Sequence, residues 1–259
     1  MRQIALPPQP VRFIGAGPGA LCHLTLGAAD ALRQAEVVIH DRLVGPEILA
    51  LIPQGTEVID MGKEGFGPSA PQAAINATLV AKALTGRRVV RLKGGDCGIF
   101  GRLDEEMEAL EAHHLPFEII PGLTAAAVAA AAIGQSLTRR GRNRSLRILT
   151  GHDMAGFADQ DWRGLSAPGA VAAIYMGKKS ARFLQGRLMM HGALPGTPVT
   201  VVENVSRPDE RIIGTVLAAL PGALDGVDGP AVLLYGLAPR HAAASLEQLP
   251  PDPQQEAHA

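Results

Sequence analysis

Aromatic side chains are scarce in this chain. They make up 3% of it, with one Trp and two Tyr. Single-stranded nucleic-acid binders stack bases on aromatic faces, so the composition argues against that class. A surplus of one charge is also missing: 24 Lys plus Arg stand against 25 Asp plus Glu, a formal net charge of -1. A general nucleic-acid coat draws its affinity from surplus cations that neutralise phosphates, and this balance does not supply them. Cysteine is limited to Cys22 and Cys97. Two thiols build neither a disulfide framework nor a metal cluster, and they suit the reducing cytoplasm. No apolar run reaches the ~20 residues of a membrane span. The longest, Leu123 to Ile133, reads as a buried Ala-rich helix. Met1 to Pro10 holds three prolines and no apolar stretch, so it reads as a flexible tail and not as a signal peptide. The expectation is a cytoplasmic protein with no membrane and no nucleic-acid partner.

What the chain does have is a core. Hydrophobic residues are 47% of 259, enough for one large or two ordinary domains. Short β-branched runs recur at Val11–Ile14, Glu36–His40, Glu57–Asp60, Arg88–Leu92 and Phe117–Ile120. A second set lies at Leu146–Leu149, Ala170–Tyr175, Val199–Val202, Glu210–Ile213 and Ala231–Tyr235. Continuous apolar runs of this length are what buried strands look like. Helical spacing falls between the early ones, at Thr25–Gln34, Pro71–Leu84 and Leu103–His113. The last opens with Asp104, Glu105 and Glu106, the charge that a helix N-terminus prefers. Strands alternating with helices predict an α/β fold of two domains, each around a five-stranded sheet. The N-terminal sheet is expected to be largely parallel. The C-terminal one is expected to be mixed, because Arg207-Pro208-Asp209 reads as a hairpin turn. The expected organisation is a tail at 1–10, an α/β domain at 11–120, a connecting helix and basic loop at 121–144, a second α/β domain at 145–240, and a fraying polar tail at 241–259.

Two glycine loops end predicted strands. Gly15-Ala16-Gly17-Pro18-Gly19-Ala20 fits the dinucleotide pattern, with Asp41 ending the next strand about 20 residues on. An NAD(P)-dependent oxidoreductase is therefore one reading. Arg91-Leu92-Lys93-Gly94-Gly95-Asp96 ends the fourth strand, and Pro121-Gly122-Leu123-Thr124-Ala125 follows the fifth. Ligands of open α/β sheets bind beyond the carboxyl ends of strands, so these loops mark one crevice. The histidines carry no metal-ligand spacing, and no metal is expected. Arg139, Arg140, Arg142, Arg144 and Arg147 make a basic loop on a neutral chain.

Taken in order, the glycine loops, Asp41-Arg42-Leu43-Val44, Gly62-Lys63, Leu149-Thr150-Gly151-His152, Tyr175-Met176-Gly177, Val202-Glu203-Asn204 and Gly229-Pro230-Ala231 resemble the tetrapyrrole methylase family over roughly residues 11–240. The resemblance implies a homodimer with its active site in the cleft between the two α/β domains of each chain. The implied donor is S-adenosyl-L-methionine, leaving S-adenosyl-L-homocysteine. The implied reaction is methylation of C2 and C7 of uroporphyrinogen III to precorrin-2, which feeds sirohaem, cobalamin or haem d1 synthesis. The catalytic positions it implies are Asp41 as base, Lys63 as proton donor and Glu105 in proton removal. Arg102, Arg140 and Arg139 would meet the substrate carboxylates. The cofactor positions are Pro18, Gly94, Gly95, Asp96, Ile99, Thr124, Ala125, Met176, Val205 and Ala231.

The chain departs from the family pattern beside the crevice. Ala20-Leu21 stands for Asp-Pro, Cys97-Gly98 for Pro-Phe, Leu103-Asp104 for Gly-Gly, and Arg139 for His. These departures leave a methylase of another precorrin, or a non-catalytic tetrapyrrole or nucleoside-binding relative, as alternatives. Cys97 reads either as a reactive thiol or as a small buried side chain.

Overall fold

The computed structural model describes residues 9–62, 71–153 and 156–240. Lys63 and the polar tail after Arg240 lie outside the described residues. The chain forms two compact units, Met1–Val128 with Ser206–Pro208, and Ala129–Val205 with Asp209–Ala259.

In the first unit, five strands follow the predicted runs: β1 (Val11–Gly15), β2 (Val37–His40), β3 (Glu57–Asp60), β4 (Val89–Lys93) and β5 (Phe117–Ile120). Their order is β3-β2-β4-β1-β5, and every pairing is parallel. Parallel strands need crossovers, and helices supply them on both faces. On one face, α1 (Leu26–Arg33) and α2 (Pro46–Leu49) bury Ala28, Leu32 and Ile48 against Ile14, Val38, Val90 and Leu92. On the other, α3 (Gln72–Ala83) and α4 (Leu103–Glu111) bury Leu79 and Leu110 against Phe13, Ile39 and Val89. Each such side chain contributes about 1.5–3 kcal/mol when fully buried. The strand ends are level: Gly15 pairs with Lys93, Ile14 with Ile120 and His40 with Leu92. All five carboxyl ends therefore lie along one edge.

After α5 (Ala125–Ala132) the second unit has β6 (Arg147–Thr150), a short ribbon of β7 (His152–Asp153) and β8 (Gly156–Phe157), α6 (Trp162–Leu165), β9 (Ala172–Tyr175), α7 (Ala181–Met190), β10 (Pro198–Glu203), β11 (Arg211–Val216), α8 (Leu220–Ala223) and β12 (Ala231–Tyr235). Its main sheet runs β11-β10-β12-β9-β6. Only β6 and β9 pair in parallel, so the sheet is mixed, as expected. The turn around Pro208 does connect an antiparallel pair, β10 and β11. Trp162, Leu165, Leu184 and Leu188 pack on Ile174, Val201 and Leu233 to form this unit's core. The β7–β8 ribbon has no counterpart in the sequence expectation, because two-residue strands carry no periodicity. Among the described residues no helix is long and apolar enough to cross a membrane.

Candidate active site

The carboxyl edge of the first sheet is built from glycine backbone. The first loop and the second are zipped together: Gly17 N donates to Gly95 O at 3.0 Å, and Gly95 N to Gly17 O at 2.8 Å. Gly15 and Gly122 touch so closely that a Cβ on Gly15 would stand 2.5 Å from Gly122 N and 2.8 Å from Gly95 O. Asp96 ties the loops further. Its Oδ1 accepts from Gly98 N and its Oδ2 from Gly122 N, both at 2.9 Å. Gly95 itself is open above: at φ 71° its missing Cβ would meet nothing within 4 Å. The edge is a ledge braced by the Asp96 carboxylate, with clear space over Gly95. Ile99 closes the turn through its N–H to Asp96 O, and Thr124 and Ala125 open α5 beside it. Pro18 lies on the first loop, where its carbonyl accepts from Arg207 at 3.5 Å.

This geometry removes the dinucleotide reading. A pyrophosphate site needs a helix N-terminus directly after the glycines. Here a single 3-10 turn at Leu21–His23 intervenes, and α1 starts only at Leu26, capped by Thr25. The Gly17 N–H, moreover, is already engaged by Gly95.

Asp41 follows β2 and is anchored from below. Arg91 Nη2 donates to Asp41 Oδ1 at 2.6 Å and to Glu106 Oε1 at 3.0 Å, while Arg91 Nε reaches Glu106 Oε2 at 2.9 Å. Lys93 Nζ donates to the same Glu106 Oε1 at 2.5 Å. Arg91, Lys93 and Glu106 are all buried. Arg91 and Lys93 are two apart on β4, so they share the face that α4 covers. Burial works to raise the Glu106 pKa, but Arg91 and Lys93 outweigh it and hold the carboxyl below its usual range. Burial likewise opposes the Arg91 charge, and Asp41 and Glu106 more than compensate. Lys93 is pushed down by burial and by the neighbouring Arg91 charge. The sequence reading missed this cluster. The available signal was α4's own spacing, since Leu103, Met107 and Leu110 place Glu106 on the buried face.

Glu105 is on the outside. It holds Arg102 in a two-pronged pair, Nε to Oε1 and Nη2 to Oε2, both at 2.7 Å. The hydrogen bonds from Arg102 keep the Glu105 carboxyl below its usual range, which weakens it as a proton acceptor. Arg102 sits at φ 54° in the left-handed region, an uncommon conformation for a residue with a side chain. Cys97 and Leu103, two of the departures from the family pattern, are buried in the core of this unit. The Cys97 thiol is pushed up by burial and by Asp96, which makes it an inert thiol.

In the second unit, Met176, Val205 and Ala231 come to one end of the main sheet. Tyr175 pairs with Val232 and Glu203 with Ala231, so the residues just past β9 and β10 flank the start of β12. Met176 is half-exposed at φ 53°. Arg139 and Arg140 are exposed on the loop before β6, where Arg139 N donates to Asn143 Oδ1. Arg142, Arg144 and Arg147 line a cavity of about 140 Å³ together with Ala170 and Val171. That cavity lies at the amino ends of β6 and β9, the opposite end of the sheet from Met176. Arg147 is paired there with Asp161, and Arg142 with Asn143 and Ser136 O. Among the described residues no three His, Cys, Asp or Glu gather as a metal site.

A parallel sheet with a glycine ledge at its carboxyl edge marks an α/β protein of the class that takes small molecules at strand ends. The chain belongs to the tetrapyrrole (corrin/porphyrin) methylases: that family's model matches residues 10–221. Among curated relatives it is 41% identical to siroheme synthase 3 of Aeromonas hydrophila over 226 residues, 87% of this chain and 48% of that protein. It is 42% identical to siroheme synthase of Azotobacter vinelandii over 228 residues, 87% of this chain and 49% of that one. The chain thus spans about half the length of the curated relatives it matches. Among solved structures, uroporphyrin-III C-methyl transferase from Thermus thermophilus, complexed with S-adenyl homocysteine, is 32% identical with a TM-score of 0.74, covering 88% of this chain and 92% of that one. A further Thermus thermophilus uroporphyrin-III-C-methyltransferase structure is 38% identical with a TM-score of 0.73, covering 95% and 98%.

Proposed function

We propose that this chain is an S-adenosylmethionine-dependent C-methyltransferase that methylates C2 and C7 of uroporphyrinogen III, giving precorrin-2 by way of precorrin-1. The observation that carries the reading is the 38% identity to the Thermus thermophilus uroporphyrin-III-C-methyltransferase, over 95% of this chain and 98% of that one. The ledge fits such a donor. A Cβ at Gly95 would fill the open space over the loop, and the glycine backbone around it leaves room for the adenosine part of the donor.

When bound, S-adenosylmethionine supplies a methyl group already activated on a sulfonium, so orientation accounts for most of the rate gain. Pro18, Gly94, Gly95, Asp96, Ile99, Thr124, Ala125, Met176, Val205 and Ala231 are the residues that would hold the donor. Methyl transfer to a fully substituted pyrrole carbon leaves the macrocycle with a positive charge, so the methylated macrocycle must lose a proton from another position, and Asp41 is the group that accepts it. Lys63 acts as proton donor, and Glu105 assists once its hold on Arg102 loosens. Arg102, Arg139 and Arg140 engage the eight carboxylates of the substrate, for which guanidinium forks are matched. The same reading carries a cytoplasmic homodimer supplying sirohaem, cobalamin or haem d1 synthesis; light scattering of the eluting protein tests the two-copy assembly.

The test is anaerobic incubation with S-adenosylmethionine and uroporphyrinogen III, read by mass and by the absorbance of the oxidised product. Addition of two methyl groups is expected. A folded protein that binds S-adenosylhomocysteine but adds no methyl group overturns the reading.

A further inference from the structure

We propose that Arg91 is the positioning residue that sets the Asp41 carboxylate, and that Glu106 and Lys93 hold Arg91 in place for that task. The inference rests on the proposed function in taking Asp41 as the proton acceptor; the residues and distances are independent of it.

Arg91 is 1% exposed in the central strand of a sheet covered on both faces. Its Nε and Nη2 grip both oxygens of Glu106, and Nη2 also bonds Asp41 Oδ1. Its Nη1 lies 3.5 Å from Ile39 O and 3.4 Å from Leu92 O. All three nitrogens of the guanidinium are therefore fixed. Glu106 is in turn fixed by Lys93 Nζ and by Gln72 Nε2 at 3.3 Å. Two cations and two carboxylates balance, and three of the four are buried. Asp41, with a side chain 32% exposed, is the member that reaches solvent. With Oδ1 engaged by Arg91, Oδ2 is the oxygen with no hydrogen bond to another described residue. The geometry thus assigns one carboxylate oxygen to orientation and the other to the proton.

A stability role alone is a weak account of the cluster. Burying an ion pair removes hydration that the attraction only partly restores, and well-packed apolar side chains of similar volume serve as well or better. Leu79, Leu103, Leu110 and Val89 already furnish such packing on this face. What apolar residues cannot do is aim a carboxylate at the crevice. Arginine's rigid fork can, whereas lysine's single ammonium cannot grip Glu106 and Asp41 at fixed angles together.

The test uses the full chain and charge-balanced variants, because removing one buried charge alone threatens folding. In Arg91→Met/Glu106→Gln one cation and one carboxylate leave together. The affinity for S-adenosylhomocysteine and the KM for uroporphyrinogen III should stay within about twofold, while kcat falls roughly 100-fold, the scale of a misplaced group. Arg91→Lys, which keeps the charge without the fork, should lose roughly tenfold in kcat. Added to Asp41→Asn, the double substitution should cause no further loss, because its effect runs through Asp41. Crystal structures of the free variants should show the Asp41 carboxylate turned from its present position. Wild-type kcat in a folded variant, losses that multiply with Asp41→Asn, or an unmoved Asp41 overturns the proposal. The crystal structures need no turnover, so failure of the wild-type protein to methylate bears on the proposed function and leaves this test standing.

Discussion

At the scale of single residues, neighbours in sequence have opposite environments. Glu105 is half-exposed and bound to Arg102, whereas Glu106 is fully buried under two cations. Removing Glu106 alone, as in Glu106→Ala, leaves Arg91 and Lys93 without their shared carboxylate. Urea denaturation should show a loss of about 3–5 kcal/mol, the scale for a buried charge stripped of its partner. The pH dependence follows from the sign of the Glu106 displacement. Its folded pKa is depressed, so its contribution is complete above the usual glutamate range and is lost as pH falls through the folded value. Denaturation midpoints across acid pH should therefore fall less steeply for Glu106→Gln than for the parent chain. Thiol chemistry makes a second contrast. Cys22 is exposed and Cys97 buried, so iodoacetamide should label one thiol in the folded protein and two after denaturation. The sequence left Cys97 open between a reactive thiol and a small core side chain; its burial and raised pKa make it the latter. It named Asp41 but not the arginine beneath it, because a cation inside an apolar strand looks like a solvent-facing alternation until both faces are covered.

At the scale of elements, ten of the twelve described strands were legible as short apolar runs, and the buried parallel ones among them have no polar face to disguise them. Helices α2, α6, α7 and α8 were not read, α2 being a single turn of four residues opened by Pro46. α6 and α8 also span four residues, and α7 breaks its apolar spacing with Gln185-Gly186-Arg187. The glycine loops were legible as punctuation, but their mutual contact was not, since it joins residues 78 and 26 positions apart through sheet order. Two substitutions separate their roles. Gly122→Ala would place its Cβ against Gly95 O and within 2.7 Å of Gly15 C, backbone that cannot yield. It should lower stability by about 1–3 kcal/mol, as overpacking does, and the thermal midpoint measures it. Gly95→Ala would meet no atom but sits at φ 71°. Its stability loss should be about 1–2 kcal/mol, and calorimetry should show S-adenosylhomocysteine affinity falling at least tenfold, because the added methyl occupies the ledge.

At the scale of the molecule, a net charge of -1 conceals where the cations are. The sequence grouped five arginines from 139 to 147 as one basic loop. The fold keeps Arg142 beside Arg139, its N–H 3.1 Å from Arg139 O, and sets Arg142, Arg144 and Arg147 around a cavity at the amino ends of β6 and β9, away from the Met176 end of the sheet. Linear order could not reveal which end of the sheet this loop reaches, since that depends on the pairing of β6 with β9. Arg142→Gln and Arg144→Gln should leave the KM for uroporphyrinogen III within about twofold, while Arg102→Gln, losing a charged hydrogen-bond donor of about 1.5–3 kcal/mol, should raise it by at least tenfold. Steady-state kinetics on the three variants tests this division.

The Gly17–Gly95 zipper has a kinetic consequence. Each glycine amide is protected from solvent deuterium by the other's carbonyl, and the Gly122 amide by the Asp96 side chain one residue further along the same loop. The three bonds meet on neighbouring residues of one loop, so the ledge should breathe as one cooperative unit. Hydrogen exchange should find the amides of Gly17, Gly95 and Gly122 exchanging with a single common protection, slower in concert when nucleoside is present, though they belong to three separate stretches of chain.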